Sequence, residues 1–484
     1  MQGRSPSSKS LVAVLGGGIS GLTAAYELQR RGHEVVVLDR QATPGGRIQT
    51  ERRAGFLVEH GPNSMISPAP GAEALIGSLG LDGERIDKGD AVRRRYLVRD
   101  GRAHALPLDP LGFFSSSFFS LRGRLRLLAE PFVRCGPDDE SVAAFVRRRF
   151  GRELLDYVFD PLVGGLYAGD PERLSIAALL PRLKQLEMRY GSVVRGVAAK
   201  ALAGMDPRYD PRRRMLFSFR QGMATLPQQL AQALGPRLRG GVRVEALQAD
   251  VGGGFRLSLR EYSRTMTLRV QGVVVALPAY AAARVLAPLA ADAAQALATI
   301  GHPPLAVVAL GYRREQIAHP LDGLGALTPT VEQRNILGFL FSSTLFAHRA
   351  PDGHILLTAY VGGARQPELA QLPRDMLTAL VRGEAQALLG AKGAPVFDSV
   401  RYWRHGLPQP DLGHAARLDA LRQLELEYPG LAITGNYISG VSTPACVEAA
   451  VAAAQRIAGR DVTAAVPVSG TGQLDGGALV NYHE

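Results

Sequence analysis

Leu11 to Asp39 reads LVAVLGGGISGLTAAYELQRRGHEVVVLD: a short apolar run, a glycine turn, a helical stretch, and a second apolar run ending in an acid. Gly16, Gly18 and Gly21 fit G-x-G-x-x-G, and Asp39 follows Gly21 by 18 residues, the spacing at which a dinucleotide-binding βαβ unit puts its ribose-binding carboxylate. Gly16 permits a tight turn, Gly18 lets the backbone approach a pyrophosphate, and Gly21 lets the helix pack close to the sheet. Phosphates would sit beside Ile19 and Ser20 at the helix N-terminus, where unpaired N–H groups and the helix dipole favour negative charge. Strand, turn, helix and acid agree on a dinucleotide cradle without choosing the dinucleotide.

Composition bounds the rest. At 484 residues, with 46% hydrophobic and 21% charged residues, the chain reads as two or three globular domains. No run of about 18 apolar residues is free of charge, so no spanning helix is expected. The polar N-terminal MQGRSPSSK lacks the apolar segment of a signal peptide. Cys135 and Cys446 make neither a disulfide framework nor a CxxC metal spacing. The expectation is a cytoplasmic protein without a bound metal.

The net charge of +12 is uneven: Arg93 to Arg220 holds 24 Lys+Arg against 14 Asp+Glu. Such a surplus suits an anionic membrane, an acidic small molecule or solvated helix faces. No helix-turn-helix, zinc-finger or RNP pattern accompanies it, so no nucleic-acid partner is expected.

After Asp39, Gly45-Gly46-Arg47 makes a second close-approach turn that nicotinamide dehydrogenases do not need and amine-oxidase-type flavoproteins commonly carry, which moves the ligand from NAD to non-covalently held FAD. A turn of Gly61, Pro62, Asn63 and Ser64 follows an apolar strand. Long arginine-rich helical segments then run to Tyr209. Phe113, Phe114, Phe118 and Phe119 precede Arg122, Arg124 and Arg126, a pattern that fits a membrane interface or, equally, a packed helical core. Asp206 to Arg214 reads as a linker, and a short strand centred on Val244 is expected to return to the adenine. Strands near LAVVALGYR, GLGALTP, ILGFLFSS and HILLTAYVGG have the spacing of an antiparallel sheet. The segment LAITGNYISGVSTPACVEAAVAAAQRIAG should close the cradle, its helix N-terminus near Gly440 and Val441 facing the flavin.

The fold class is therefore α/β: a Rossmann-type FAD-binding domain, a mixed-sheet substrate domain and an inserted helical domain. The expected boundaries are 10–90, 215–285 and 426–467 for the FAD domain, 91–209 for the helical domain, 286–425 for the sheet domain, and 468–484 for a disordered tail.

GGGISGL, GGR, VEHGPNS, DAVRRRYLV, FDPLVGGLYAGDPERLS, RQGMATLP, YVGGARQP, LPQPDLGH and GNYISGV occur in this order. Together they resemble the protoporphyrinogen oxidase family, oxygen-dependent flavoenzymes of haem synthesis. The resemblance implies oxidation of a porphyrinogen by three two-electron transfers to flavin, with O2 as acceptor and H2O2 as product. It implies that Arg95 pairs with a substrate propionate, that Asn63 lies near the same pocket, and that Gly169 turns a carbonyl toward the pyrrole N–H groups. Leu324, Leu340 and Tyr360 fall on the family's apolar clamp. It also implies that the inserted helical domain is membrane-associated, with a peripheral location on the inner face of the cell membrane, and a contact with ferrochelatase or a second copy. Coproporphyrinogen III oxidase is the nearest rival; an amine oxidase or carotenoid desaturase shares the glycine turns but gives no reason for Arg95. Ser442, Ala445 and Pro410 depart from the family pattern, as does the hydroxyl of Tyr360.

Overall fold

The computed structural model describes residues 11–106, 116–202 and 215–459. Phe113, Phe114, the linker from Asp206 to Arg214 and the tail at 468–484 lie outside them.

Leu11–Leu15 is the middle strand of a five-stranded parallel sheet in the order Leu238–Gly240, Glu34–Asp39, Leu11–Leu15, Gly272–Val275, Leu431–Ile433. Its central strands are almost continuously apolar because both faces are covered. On one face lie helices Ile19–Arg30, Thr225–Leu234 and Thr443–Ala458, where small residues (Ala24, Ala25, Ala450, Ala453, Ala454) share one core and permit close helix packing. The other face carries the meander Val242–Ala249, Phe255–Glu261, Arg264–Val270, together with helices Ala279–Leu286, Ala291–Ala298 and His414–Glu427. Helix Ala291–Ala298 and all but the last two residues of His414–Glu427 fall inside the 286–425 segment expected to form the sheet domain. Their Ala294, Leu297, Leu421 and Leu424 pack on the nucleotide sheet instead.

The second layer is a seven-stranded sheet in the order Phe397–Trp403, Leu305–Arg313, His354–Gly362, Gly338–Leu340, Gly323–Leu327, Arg94–Arg99, Arg102–Ala105. All its pairings are antiparallel except that between Gly323–Leu327 and Arg94–Arg99. Helix Arg374–Leu389 covers one face. The expected helical start at residue 91 is corrected by this sheet, since residues 94–105 form its edge hairpin. Tyr96 and Val98 point into the core under helix Arg374–Leu389, Leu97 points the other way, and Asp100-Gly101 makes the turn with φ of 52° and 71°.

The helical stretch proper contains Leu121–Leu128, Val142–Arg149, Asp160–Tyr167, Pro181–Tyr190 and Val193–Leu202. Phe118 and Phe119 are 5% and 3% exposed and belong to its core, so they are not interfacial aromatics. Part of the arginine surplus is also internal. Fully buried Arg149 pairs with Glu130 at 2.9 Å and Glu187 at 2.6 Å, Lys184 reaches Glu187 at 2.7 Å, and Arg148 joins Glu140 and Glu187. Three cations and three carboxylates balance, as buried charges must. Among the described residues no helix is long and apolar enough to cross a membrane, and no group of three or more His, Cys, Asp or Glu is placed to hold a metal.

Candidate active site

The glycine turn is built as its sequence requires. Gly16 adopts φ 109°, and a methyl at Gly21 would overlap the Gly16 carbonyl oxygen, so helix and strand meet there backbone to backbone. Gly18 precedes helix Ile19–Arg30 without any side-chain cap, leaving the first N–H groups of the helix for a ligand. The Asp39 carboxylate accepts from Gly17 N at 2.5 Å and Gln41 N at 2.6 Å, which fixes it at the strand end.

The Gly45-Gly46-Arg47 turn lies directly on this cradle, with Gly45 N donating to Gly17 O at 2.8 Å and Gly45 bridging to Gly18. Arg47 stacks over Trp403, its guanidinium 4.9 Å from the ring. Burial holds its pKa below the usual arginine range, and among the described residues no carboxylate pairs with it. A half-buried guanidinium without an acid beside glycine backbone fits an anionic group such as a pyrophosphate. The third turn comes closer still, because a methyl at Gly61 would overlap the Arg47 carbonyl oxygen. From that turn Asn63 Nδ2 donates to Tyr360 Oη at 2.6 Å and to Gly61 O at 3.4 Å. Burial pushes the Tyr360 phenol up to about 12, so it stays protonated.

At the C-terminal closure Gly440 adopts φ 114°, and the departure at Ser442 has a structural reason. Ser442 Oγ accepts from Ala445 N at 3.3 Å as the N-cap of Thr443–Ala458, and Pro444 occupies the first turn.

These turns open into one cavity of 2710 Å³. A pocket for one small ligand is about 300–1,000 Å³, so this one has room for a dinucleotide and a bulky second molecule. Every cofactor residue expected from sequence lines it except Gly21, which sits behind Gly16: the first turn with Asp39, the Gly45–Arg47 and Gly61–Ser64 turns, Val244, Gly440 and Val441. Beyond them one face of the seven-stranded sheet forms the floor, with Leu324, Leu340 and Tyr360 on adjacent strands. Val158, Leu162 and Leu166 of the helical layer face it. Arg95 also lines the cavity and has no acidic partner among the described residues, whereas its neighbour Arg94 pairs with Asp322 at 3.1 Å. Gly169 is the exception among the substrate residues. It is buried off the wall, where a methyl would meet Leu174 and Gln409, and Ala168 takes the lining position.

Sequence reasoning missed several lining residues. Tyr280 stacks on His405 with ring centroids 4.2 Å apart and meets His302 edge-on, and burial lowers the His302 pKa to about 4. His60 Nε2 lies 2.7 Å from Glu51 Oε2, while the His60 carbonyl accepts from Trp403 Nε1 at 2.7 Å. Nothing local in the sequence marks these contacts, which join residues up to 343 positions apart.

The family model for flavin-containing amine oxidoreductases matches residues 19–458. The chain belongs to that family. Protoporphyrinogen oxidase 2, chloroplastic/mitochondrial, of Arabidopsis thaliana is 32% identical over 467 residues, covering 89% of this chain and 90% of the relative. Coproporphyrinogen III oxidase of Bacillus subtilis (strain 168) is 28% identical over 459 residues, covering 91% and 96%. The solved structure of cyclohexylamine oxidase from Brevibacterium oxydans IH-35A superposes with a TM-score of 0.67 at 19% identity, covering 93% and 99%, a likeness of fold. The flavin of this flavoprotein is FAD.

Proposed function

We propose that this flavoprotein oxidises protoporphyrinogen IX to protoporphyrin IX, taking three O2 and releasing three H2O2 per porphyrin, in haem synthesis. The observation that carries the reading is the continuous cavity that runs from the glycine cradle onto an apolar sheet floor bearing Arg95, which has no acidic partner among the described residues. The relatives support it, since the chain is 32% identical to the Arabidopsis protoporphyrinogen oxidase and 28% to the Bacillus coproporphyrinogen oxidase.

Bound without a covalent link, FAD supplies the two-electron acceptor and its reoxidation by O2, three times over for six electrons and six protons. The protein supplies place and charge. Gly16, Gly18, Ile19 and Ser20 would hold the pyrophosphate, with Gly21 packing the helix onto Gly16 behind them, Asp39 the ribose, Val244 the adenine side, and Gly45, Gly46 and Arg47 the middle of the molecule. The Gly61–Ser64 turn, Gly440 and Val441 would flank the ring system. Arg95 offers a planar fork to a propionate. Leu324 and Leu340 press the macrocycle toward the flavin, and Tyr360, its hydroxyl fixed by Asn63, sets how far it slides. Orientation of this kind is the protein's main contribution to a cofactor-borne reaction.

A peripheral seat on the inner face of the cell membrane is part of the proposal. Its support is an exposed apolar face on the helical layer: Leu121, Leu125 and Leu128 recur at helical spacing beside Phe132, which is 83% exposed, with Val194 and Val197 nearby. Arg195 lies over the Phe132 ring, where it would meet anionic headgroups. A contact with ferrochelatase or a second copy is expected on the resemblance alone.

The test is direct. The FAD-loaded protein is supplied in air with protoporphyrinogen IX, coproporphyrinogen III or cyclohexylamine while porphyrin fluorescence and peroxide are followed. Protoporphyrin with three peroxides per molecule is the expected result. Faster turnover of coproporphyrinogen would transfer the assignment to the rival, and no porphyrin from either would remove both.

A further inference from the structure

The loop and strand that bring Arg95 to the cavity bring a second arginine with it. Gly89 N donates to Leu345 O at 2.9 Å, Lys88 N to Leu216 O at 2.9 Å, and Arg93 N and Arg94 N both to Asp322 O at 3.0 and 3.3 Å. The backbone is thus pinned on both sides. From Arg94 it enters the edge hairpin beside Gly323–Leu327, with Arg94 opposite Gly323, Tyr96 opposite Ala326 and Leu97 opposite Leu327.

Strand alternation then sorts the three arginines. Arg94 shares its side with Tyr96. The Arg94 guanidinium and the Tyr96 hydroxyl both reach Asp322, so that charge is neutralised. All three arginines line the cavity, but Arg93, just before the strand, and Arg95 occupy the alternate positions, and neither has a carboxylate partner among the described residues. Two residues of extended chain set their Cα atoms about 7 Å apart. At the other end of the same strand pair, beyond Leu97 and Leu327, the lining turns apolar with Val158, Leu162 and Leu337.

We infer that Arg93 and Arg95 together form a two-carboxylate clamp, which takes two acidic tails on one edge of a large apolar ring and presents aliphatic surface to the opposite edge. The inference rests on the proposed oxidation of protoporphyrinogen IX, whose two propionates sit side by side, and it assigns Arg93 as a specificity-determining residue. A substrate with acidic tails on all four sides would drive carboxylates against the apolar Leu162 and Leu337.

The experiment compares protoporphyrinogen IX with its propionate dimethyl ester on wild type, Arg93→Ala, Arg93→Lys and Lys88→Ala, each checked for FAD content. Wild-type turnover of the diacid is the control for the parent reading, and if wild type makes no porphyrin, both that reading and the clamp fall. With turnover present, Arg93→Ala should raise KM for the diacid about tenfold with kcat within about twofold. It should leave the diester kinetics equal to wild type, because the diester has no charge to lose. Arg93→Lys should recover part of the KM, keeping the charge without the fork. An unchanged KM for the diacid, an equal loss on the diester, or an ester-dependent loss in Lys88→Ala in place of Arg93→Ala would overturn the clamp while leaving the oxidase assignment intact.

Discussion

Replacing Gly61 by alanine puts the meeting of the three turns to the test. A methyl there would overlap the Arg47 carbonyl oxygen, stand 3.0 Å from its carbon and lie 3.6 Å from Ile48 Cα. All three are backbone atoms, so no side chain can swing away. Retreat is opposed on both sides, because His60 N is bonded to Gln49 O at 2.9 Å, Ile48 N to Gly45 O at 3.0 Å, and Gly45 N to Gly17 O at 2.8 Å. Overpacking a well-packed contact costs about 1–3 kcal/mol, and the strain falls on the Arg47 and Gly61–Ser64 walls of the cradle. If about 2 kcal/mol of it is borne by the complex, the Kd for FAD rises roughly 30-fold. Titrating apoprotein with FAD and following the quenching of flavin fluorescence measures that Kd, and circular dichroism reports whether the fold survives. Gly252→Ala, where an added methyl meets nothing, is the control and should bind like wild type. A folded Gly61→Ala protein with wild-type affinity would refute the idea that these turns hold the cofactor by mutual contact.

Four further outcomes are expected. Tyr360→Phe removes the 2.6 Å bond from Asn63, so kcat/KM for porphyrinogen should fall roughly fivefold, the worth of about 1 kcal/mol of hydrogen bond. The alkaline limb of the pH profile should not move, because the phenol is already neutral up to about 12, and a shifted limb would contradict its assignment. Arg95→Ala should raise KM for protoporphyrinogen more than it lowers kcat in steady-state assays, and an unchanged KM would sink the propionate contact. His302 is depressed from 6.5 to about 4 by burial, so above pH 6.5 it contributes no pH dependence, and between those values the unfolded chain takes the proton first and stability is lost as pH falls. His302→Gln should therefore narrow the gap in melting temperature between about pH 7.5 and 5, and a gap as wide as wild type would exclude His302 as its source. Leu125→Glu combined with Phe132→Glu should abolish flotation with anionic vesicles while detergent-dispersed substrate is still oxidised, whereas undiminished flotation would place the membrane contact elsewhere.

The parallel sheet and its cradle were legible because each rests on short-range chemistry. The run Leu11–Asp39 contains its own turn, helix start and acid, and Ser442-Thr443-Pro444, although it departs from the family pattern, is readable as a cap followed by a first-turn proline. The hairpin at 94–105 carried a signal that the arginine count hid, since Asp100-Gly101 between alternating YLV and AHA is a two-residue turn. Helices Ala291–Ala298 and His414–Glu427 could not be assigned to a layer from sequence, because an apolar helical stripe does not say which sheet it covers. Asn63 with Tyr360 and Arg47 with Trp403 join segments hundreds of residues apart, and only the fold brings them together.

Two Arg-Arg-Arg triplets show why charge runs resist reading. At 93–95 all three arginines line the cavity, and the extended period of two gives the middle one to Asp322 while the outer two have no carboxylate partner among the described residues. At 147–149 the helix turns each residue by about 100°, so Arg147 faces outward to Glu172, Arg148 lies at the rim of a buried cluster, and Arg149 is enclosed by Glu130 and Glu187. The same three letters thus give two cations without a carboxylate partner among the described residues in one place and a buried ion-pair cluster in the other. Their difference is set by what they lack. Arg93 and Arg95 have no acid opposite them among the described residues, and a guanidinium left unpaired beside an apolar floor is stable only where water or an anionic guest completes it. The proposed preference for a carboxylate-bearing ring would depend on that lack of acids among the described residues as much as on the arginines themselves.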